Sequence, residues 1–107
     1  MRLFLVAILL TLSLPVSVSA QTATFYGPSF AGKRMANGRP YNPNHYVAAH
    51  PRYPLGTRLR VTHQRTGRSV IVTVTDRCAC SLDLSSAAFR RIANKNHGRI
   101  PVRITRL

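Results

Sequence analysis

This chain is nearly without acid. Its 107 residues include two carboxylates, Asp76 and Asp83, and no glutamate, against 16 lysines and arginines. Carboxyl-based acid–base chemistry must therefore run through Asp76, Asp83 or both. Long apolar runs are equally scarce: Leu3–Leu14 stands alone, with Arg2 before it and Val18-Ser19-Ala20 after it. The run is shorter than the ~20 residues a comfortable membrane span needs. Its layout is that of a secretory signal peptide over residues 1–20, cleaved near Ala20. No cysteine follows it to take a lipid, so neither a lipid anchor nor stable membrane insertion is expected, and the mature protein is placed in the periplasm or outside the cell. Internal repeats, low-complexity tracts and signs of a second domain are absent. Residues 21–107 then form one small domain. Such a chain buries only ~60–65% of its unfolded surface, which favours a sheet that closes on itself and leaves no raw edge.

Cysteine is the other scarcity. Cys78 and Cys80 are the only pair, and export puts them in an oxidising compartment. A bridge between them closes a very tight ring, and short loops gain least from cross-linking. A disulfide ranks first, two free thiols second and a metal site last, so no cofactor is expected.

What is abundant is positive charge. Without Arg2, 15 basic residues face 2 acidic ones. They are scattered singly or in pairs and do not form a tail. Such a charge attracts polyanions; for an exported protein that means wall polymer or membrane surface rather than nucleic acid. The plainer reading is that the charge keeps a small protein soluble.

Patterning predicts short strands broken by turns. Thr22–Tyr26 is β-prone and ends at Gly27-Pro28. Residues 29–43, with Asn37-Gly38 and two prolines, read as a loop. Tyr46–His50 is a short apolar piece ending at Pro51. Arg58–Thr62 alternates, Arg65-Thr66-Gly67 turns, and the β-branched run Ser69–Thr75 returns, which makes the clearest hairpin. Asp76 ends that second strand. Ser85–Ala93 is predicted as a short helix capped by Asp83 or Ser85, with Leu84, Ala88 and Ile92 as its apolar stripe. Asn96-His97-Gly98 ends it, and Pro101–Thr105 alternates as a last strand. Six or so short strands with one helix fit a small closed barrel.

Several pieces occur together in order: Ala23-Thr24-Phe25-Tyr26-Gly27, Ala36-Asn37-Gly38, Val47-Ala48-Ala49-His50, Pro54-Leu55-Gly56-Thr57, Val61-Thr62, Gly67-Arg68-Ser69-Val70, Val74-Thr75-Asp76-Arg77 and Leu82-Asp83-Leu84-Ser85. In this order and spacing the chain resembles the rare lipoprotein A (RlpA) family over nearly all of residues 21–107. The resemblance implies a mainly β fold, a six-stranded double-psi β-barrel with one or two short helices. It implies peptidoglycan glycan strands as the partner and endolytic lytic transglycosylation as the activity. It also implies that His50 and Asp76 are the active-site pair. Cys78-Ala79-Cys80 departs from the family, which usually carries Gly-Pro there.

Lytic cleavage needs one group that first protonates the glycosidic oxygen and then, as a base, assists attack by the sugar's own 6-hydroxyl. Asp76 is the candidate, with His50 orienting it or binding a hydroxyl. Hydrolysis by the common route would use Asp76 and Asp83 across the bond. Tyr26 and Tyr41 are candidates to stack on sugar, or to fill the thin core. Asn37 is a candidate sugar donor, though Asn-Gly is also an ordinary turn. Asp83 is a substrate-binding candidate whose plainer role is a cap or a buried hydrogen-bonding group. A monomer is expected. Two rival readings share the sequence: a non-catalytic, expansin-like wall-binding module, and a small secreted effector or inhibitor acting by charge.

Overall fold

The computed structural model describes residues 18–107, so most of the predicted signal peptide, residues 1–17, lies outside the described residues. Six strands form a closed barrel: β1 (Val18–Phe25), β2 (Val47–Ala49), β3 (Arg58–His63), β4 (Ser69–Asp76), β5 (Leu82–Leu84) and β6 (Ile100–Arg106), in the order β1-β5-β2-β4-β3-β6. The pairs β1–β5 and β2–β4 are parallel, and the other four are antiparallel. This is the expected mainly β, six-stranded double-psi type of barrel, with one short helix, α1 (Ser86–Ile92), and two 3-10 turns at Pro28–Phe30 and Lys95–His97.

The hairpin forms as its alternation predicts. Leu59 and Val61 of β3 and Val70, Val72 and Val74 of β4 point inward and are buried, and Leu59 lies opposite Val72. Gly67 turns the hairpin with φ +75°, a backbone that a side chain would strain. Ile100, Val102 and Ile104 of β6 complete the wall. Phe89 of α1, fully buried, plugs the barrel beside Ile92 and Ala88. Ser85 caps the helix, its hydroxyl accepting from the Ala88 N–H at 3.3 Å. Asp83 does not cap it.

Two elements differ from the patterning. Leu84 belongs to β5 and not to the helix: Leu82 and Leu84 face the core while Asp83 points away. A three-residue Leu-Asp-Leu segment becomes a strand because β1 and β2 pair with it on both sides. In addition, β1 begins at Val18, before the predicted cleavage point, with Val18, Ser19 and Ala20 paired to Thr105, Ile104 and Arg103.

A second, smaller cluster sits outside the barrel wall. Tyr26, Met35, Tyr41 and Ala49 are buried together, with Val47 and Cys78 packed against them. It fills the space between the strands and the long loop that precedes β2.

Candidate active site

The carboxyl of Asp76 stands over that outer cluster. A register shift puts it there: Ala48 pairs with Val74, but Ala49 pairs with Asp76. The extra residue re-aims the end of β4, as bulges beside functional sites commonly do. Ala49 also pairs with Asp83 on its other side. The two carboxylates of the chain thus share one row across three strands, with Cα atoms roughly 10 Å apart at normal strand spacing.

Asp76 is held by three donors. The Tyr26 hydroxyl donates to Oδ2 at 2.6 Å, and the backbone N–H groups of Ala36 and Arg77 donate to Oδ1 at 2.8 and 2.9 Å. The amide donors come from opposite sides. Arg77 is the next residue, whereas Ala36 is delivered by a tight turn in the loop. That turn is closed by Gly38 N–H to Met35 O, by Arg39 N–H to Asn37 Oδ1 and by Asn37 N–H to Thr75 O. Gly38 has φ +85°, which favours glycine here. Thr75 adds a hydroxyl contact to the Met35 sulfur at 3.3 Å.

Tyr26 is 5% exposed. Its ring stacks on Tyr41 at 4.3 Å and meets Phe30 edge-on at 5.7 Å. Burial, the hydrogen bond to Asp76 and the charge of Asp76 all push its phenol far above the ordinary range. It therefore remains a donor at any physiological pH. Tyr41, 3% exposed, anchors the start of α1 by accepting from the Ser86 N–H at 3.1 Å. Neither buried ring offers a face to a sugar. Among the described residues the exposed aromatic rings are Phe30 at 46% and Tyr46 at 45%; neither was a sugar-stacking candidate from the sequence.

His50 is buried and joined to Asp76 through the backbone, its N–H donating to Asp76 O at 3.2 Å. Its Nδ1 accepts from the N–H groups of Arg52 and Tyr53, both at 3.0 Å. This leaves the proton of the neutral ring on Nε2. Burial first, then the charges of Arg52 and Arg77, hold its pKa below the usual imidazole value. The Arg77 guanidinium ties this corner together, donating to His50 O and Tyr53 O at 3.2 and 2.7 Å. The imidazole is not among the hydrogen-bond partners of the Asp76 carboxyl.

Asp83 receives the Thr24 hydroxyl at 3.0 Å. Burial pushes its carboxyl above the ordinary range, the Thr24 bond works against that, and the charge of Asp76 adds to it. Asn37 lines a cavity of about 300 Å³ with Met35, Arg39, Asn42, His45 and Thr75, adjacent in sequence to Asp76. Cys78 and Cys80 are bridged, two and four residues beyond Asp76.

With this geometry in hand, a family profile described as "Lytic transglycolase" matches residues 18–104. The chain belongs to the lytic transglycolase family. Among family relatives, an uncharacterized protein of Synechocystis is 65% identical over 82% of this chain and 98% of its own length. A probable endolytic peptidoglycan transglycosylase RlpA of the same organism is 44% identical over 71% of this chain. The Campylobacter jejuni endolytic peptidoglycan transglycosylase RlpA is 41% identical over 77% of it. The family domain of this chain spans only 25% and 31% of those two RlpA proteins. Among solved structures, a Clavibacter michiganensis expansin superposes with a TM-score of 0.68 at 30% identity, over 85% of this chain and 50% of that one. The Streptomyces papain inhibitor shares the fold, with a TM-score of 0.72 at 24% identity over 89% and 99% of the two chains. Proteins similar to this chain in sequence or fold thus include peptidoglycan transglycosylases, an expansin and a papain inhibitor.

Proposed function

We propose that this domain engages glycan strands of the bacterial cell wall at its Asp76 end and cleaves them there by lytic transglycosylation. Peptidoglycan is the proposed substrate, in the periplasm or outside the cell. The observation that carries the reading is the Asp76 carboxyl itself, half-buried and held at both oxygens by Tyr26, Ala36 and Arg77. Backbone N–H groups can only donate, so Oδ1 is an acceptor throughout. The transferable proton belongs on Oδ2, which faces the Tyr26 hydroxyl.

In the first step Oδ2–H protonates the glycosidic oxygen as the C1–O bond breaks. Negative charge develops on Asp76 as it gives the proton up, and three preorganised donors stabilise it. In the second step the carboxylate takes the proton of the sugar's 6-hydroxyl, whose oxygen closes on C1. The products are a free hydroxyl on one strand and a 1,6-anhydro ring on the other. Asp76 regains its proton, and no water is consumed. His50, with its Nε2–H, is proposed as a donor to a substrate hydroxyl. Asp83, in row with Asp76, and Asn37, in the adjoining cavity, are proposed substrate contacts. Tyr26 is proposed as the residue that positions Asp76.

A second reading is binding without cleavage. One observation favours it: both oxygens of the Asp76 carboxyl already hold internal hydrogen bonds from Tyr26, Ala36 and Arg77, an arrangement that also serves to shape a binding groove. A Clavibacter michiganensis expansin in complex with cellohexaose, 25% identical with a TM-score of 0.68, lends it weight. The comparisons support glycan engagement more strongly than cleavage. Digests of bare and peptide-bearing peptidoglycan read by mass spectrometry separate the two. Release of anhydro-ended glycans, lost by at least about a hundredfold in Asp76→Asn, is the expected result. Pelleting with the wall and no anhydro product would leave the binding module. Full activity in Asp76→Asn would remove Asp76 from its role.

A further inference from the structure

A basic cleft lies at the other end of the strand that carries Asp76. The hairpin leads into β4 through Arg68 and Ser69, and the last turn of α1 carries Arg90 and Arg91. These four residues line a cleft of about 470 Å³. From Ser69 to Asp76 the strand rises about 23 Å, so this cleft is remote from the site above.

Three guanidinium groups around one cleft repel one another. The chain supplies no relief. Its only carboxylates are at the far end, and among the described residues their hydrogen-bond donors are Thr24, Tyr26, Ala36 and Arg77. The C-terminal dipole of α1 accounts for Arg90 and Arg91. It does not account for Arg68, which belongs to another element. The Arg68 backbone is fixed by the hairpin: its carbonyl accepts from His63 N–H at 2.8 Å and its N–H donates to Thr66 Oγ1 at 3.2 Å. The fold therefore presents Arg68 to the two helix arginines from a rigid base.

We infer that the Arg68–Ser69–Arg90–Arg91 cleft is an anion site for phosphate groups carried on a polymer. Guanidinium forks match phosphate oxygens two at a time, and the Ser69 hydroxyl adds a donor. One carboxylate would leave most of the three charges unmatched, whereas successive phosphates of a polymer would match them. The inference is independent of the Asp76 chemistry. Its consequence is retention: a phosphate-bearing wall polymer would hold the domain by this end and leave the other free to work.

The test compares two charge-matched triple variants of the mature protein. One is Arg68→Gln/Arg90→Gln/Arg91→Gln in the cleft. The other is Arg58→Gln/Arg60→Gln/Arg103→Gln on exposed positions of β3 and β6. Binding is read by fluorescence anisotropy against labelled short-chain inorganic polyphosphate, with polygalacturonate and phosphatidylglycerol vesicles as the other probes. The cleft variant is expected to lose at least about tenfold in polyphosphate affinity, and the control less than about threefold. Asp76→Asn should keep full binding. Equal losses in the two triples would reduce the effect to net charge and overturn the site. Polygalacturonate bound as tightly as polyphosphate, or cleft-dependent binding to vesicles alone, would also overturn it. All three cleft arginines are exposed, so if the triple does not fold, the single variants Arg68→Gln and Arg91→Gln carry the same comparison, with about threefold expected from each.

Discussion

The barrel interior and the small cluster outside its wall are built on different terms. The interior is aliphatic apart from Phe89, closed on all sides, and made by strands whose residues alternate in and out. The outer cluster is made of two tyrosines, a methionine and an alanine, gathered from β2 and from the long segment between β1 and β2. Hydrogen bonds run through it to Asp76, Thr75 and Ser86. The first region holds the fold together, and the second holds a carboxyl in place. β2 serves both tasks, with Ala48 in the interior and its neighbour Ala49 in the outer cluster.

That contrast can be broken from either side. The largest effect belongs to the interior: Phe89→Ala should cost about 3–5 kcal/mol, seen as a large drop in the urea midpoint of unfolding. If the outer cluster were the main source of stability, this variant would be mild. Tyr26→Phe keeps the stacked ring and removes only the hydroxyl on Asp76. It should cost about 1.5–3 kcal/mol while shifting the pH profile of glycan cleavage. A loss of stability with an unchanged profile would make Tyr26 merely structural. Reduction of Cys78–Cys80 should cost at most about 1.5 kcal/mol, since the bridge closes so short a loop. Because Cys78 packs against the outer cluster, cleavage should fall further than the melting temperature does, and parallel falls would contradict this.

The smallest effect concerns pH. His50 titrates below its ordinary 6.5 in the fold, through burial and then Arg52 and Arg77, and burial likewise depresses His63. The unfolded chain takes up these protons first. The contribution of both rings is therefore complete above about pH 6.5 and is lost as pH falls through that value and on through the folded one. His50→Asn can keep the bonds from Arg52 and Tyr53 through Oδ1 yet cannot titrate. Its urea midpoint should fall less than that of the parent between pH 7 and 5. An identical fall would assign the dependence elsewhere.

The interior was legible because alternation is local: β3, β4 and β6 can be read from their own residues, and Ser85 from its place before a helix. Asp76 stood out through the scarcity of acids. The rest was hidden because its causes are distant in sequence. Tyr26 and Asp76 lie 50 residues apart, and no spacing rule links a phenol to a carboxyl across a barrel. The shift that turns Asp76 toward Ala49 exists only once β2 pairs with β4. The strand β5 was missed because three residues carry too little pattern, and Leu84 also fits the helical stripe that follows. His50 was expected to orient Asp76 or to bind a substrate hydroxyl, and no residue pattern shows that its Nδ1 accepts from backbone N–H groups two and three residues on. Such a local loop contact leaves no mark in composition.

The pairing of Val18 with Thr105 brings the entry and exit of the described chain side by side on neighbouring strands. A unit whose two ends meet can be spliced into a host polypeptide as a single cassette, with no need to stretch or reopen. The matched region makes up 25% and 31% of two RlpA proteins, and adjacent ends are what seating such a unit within a longer chain requires.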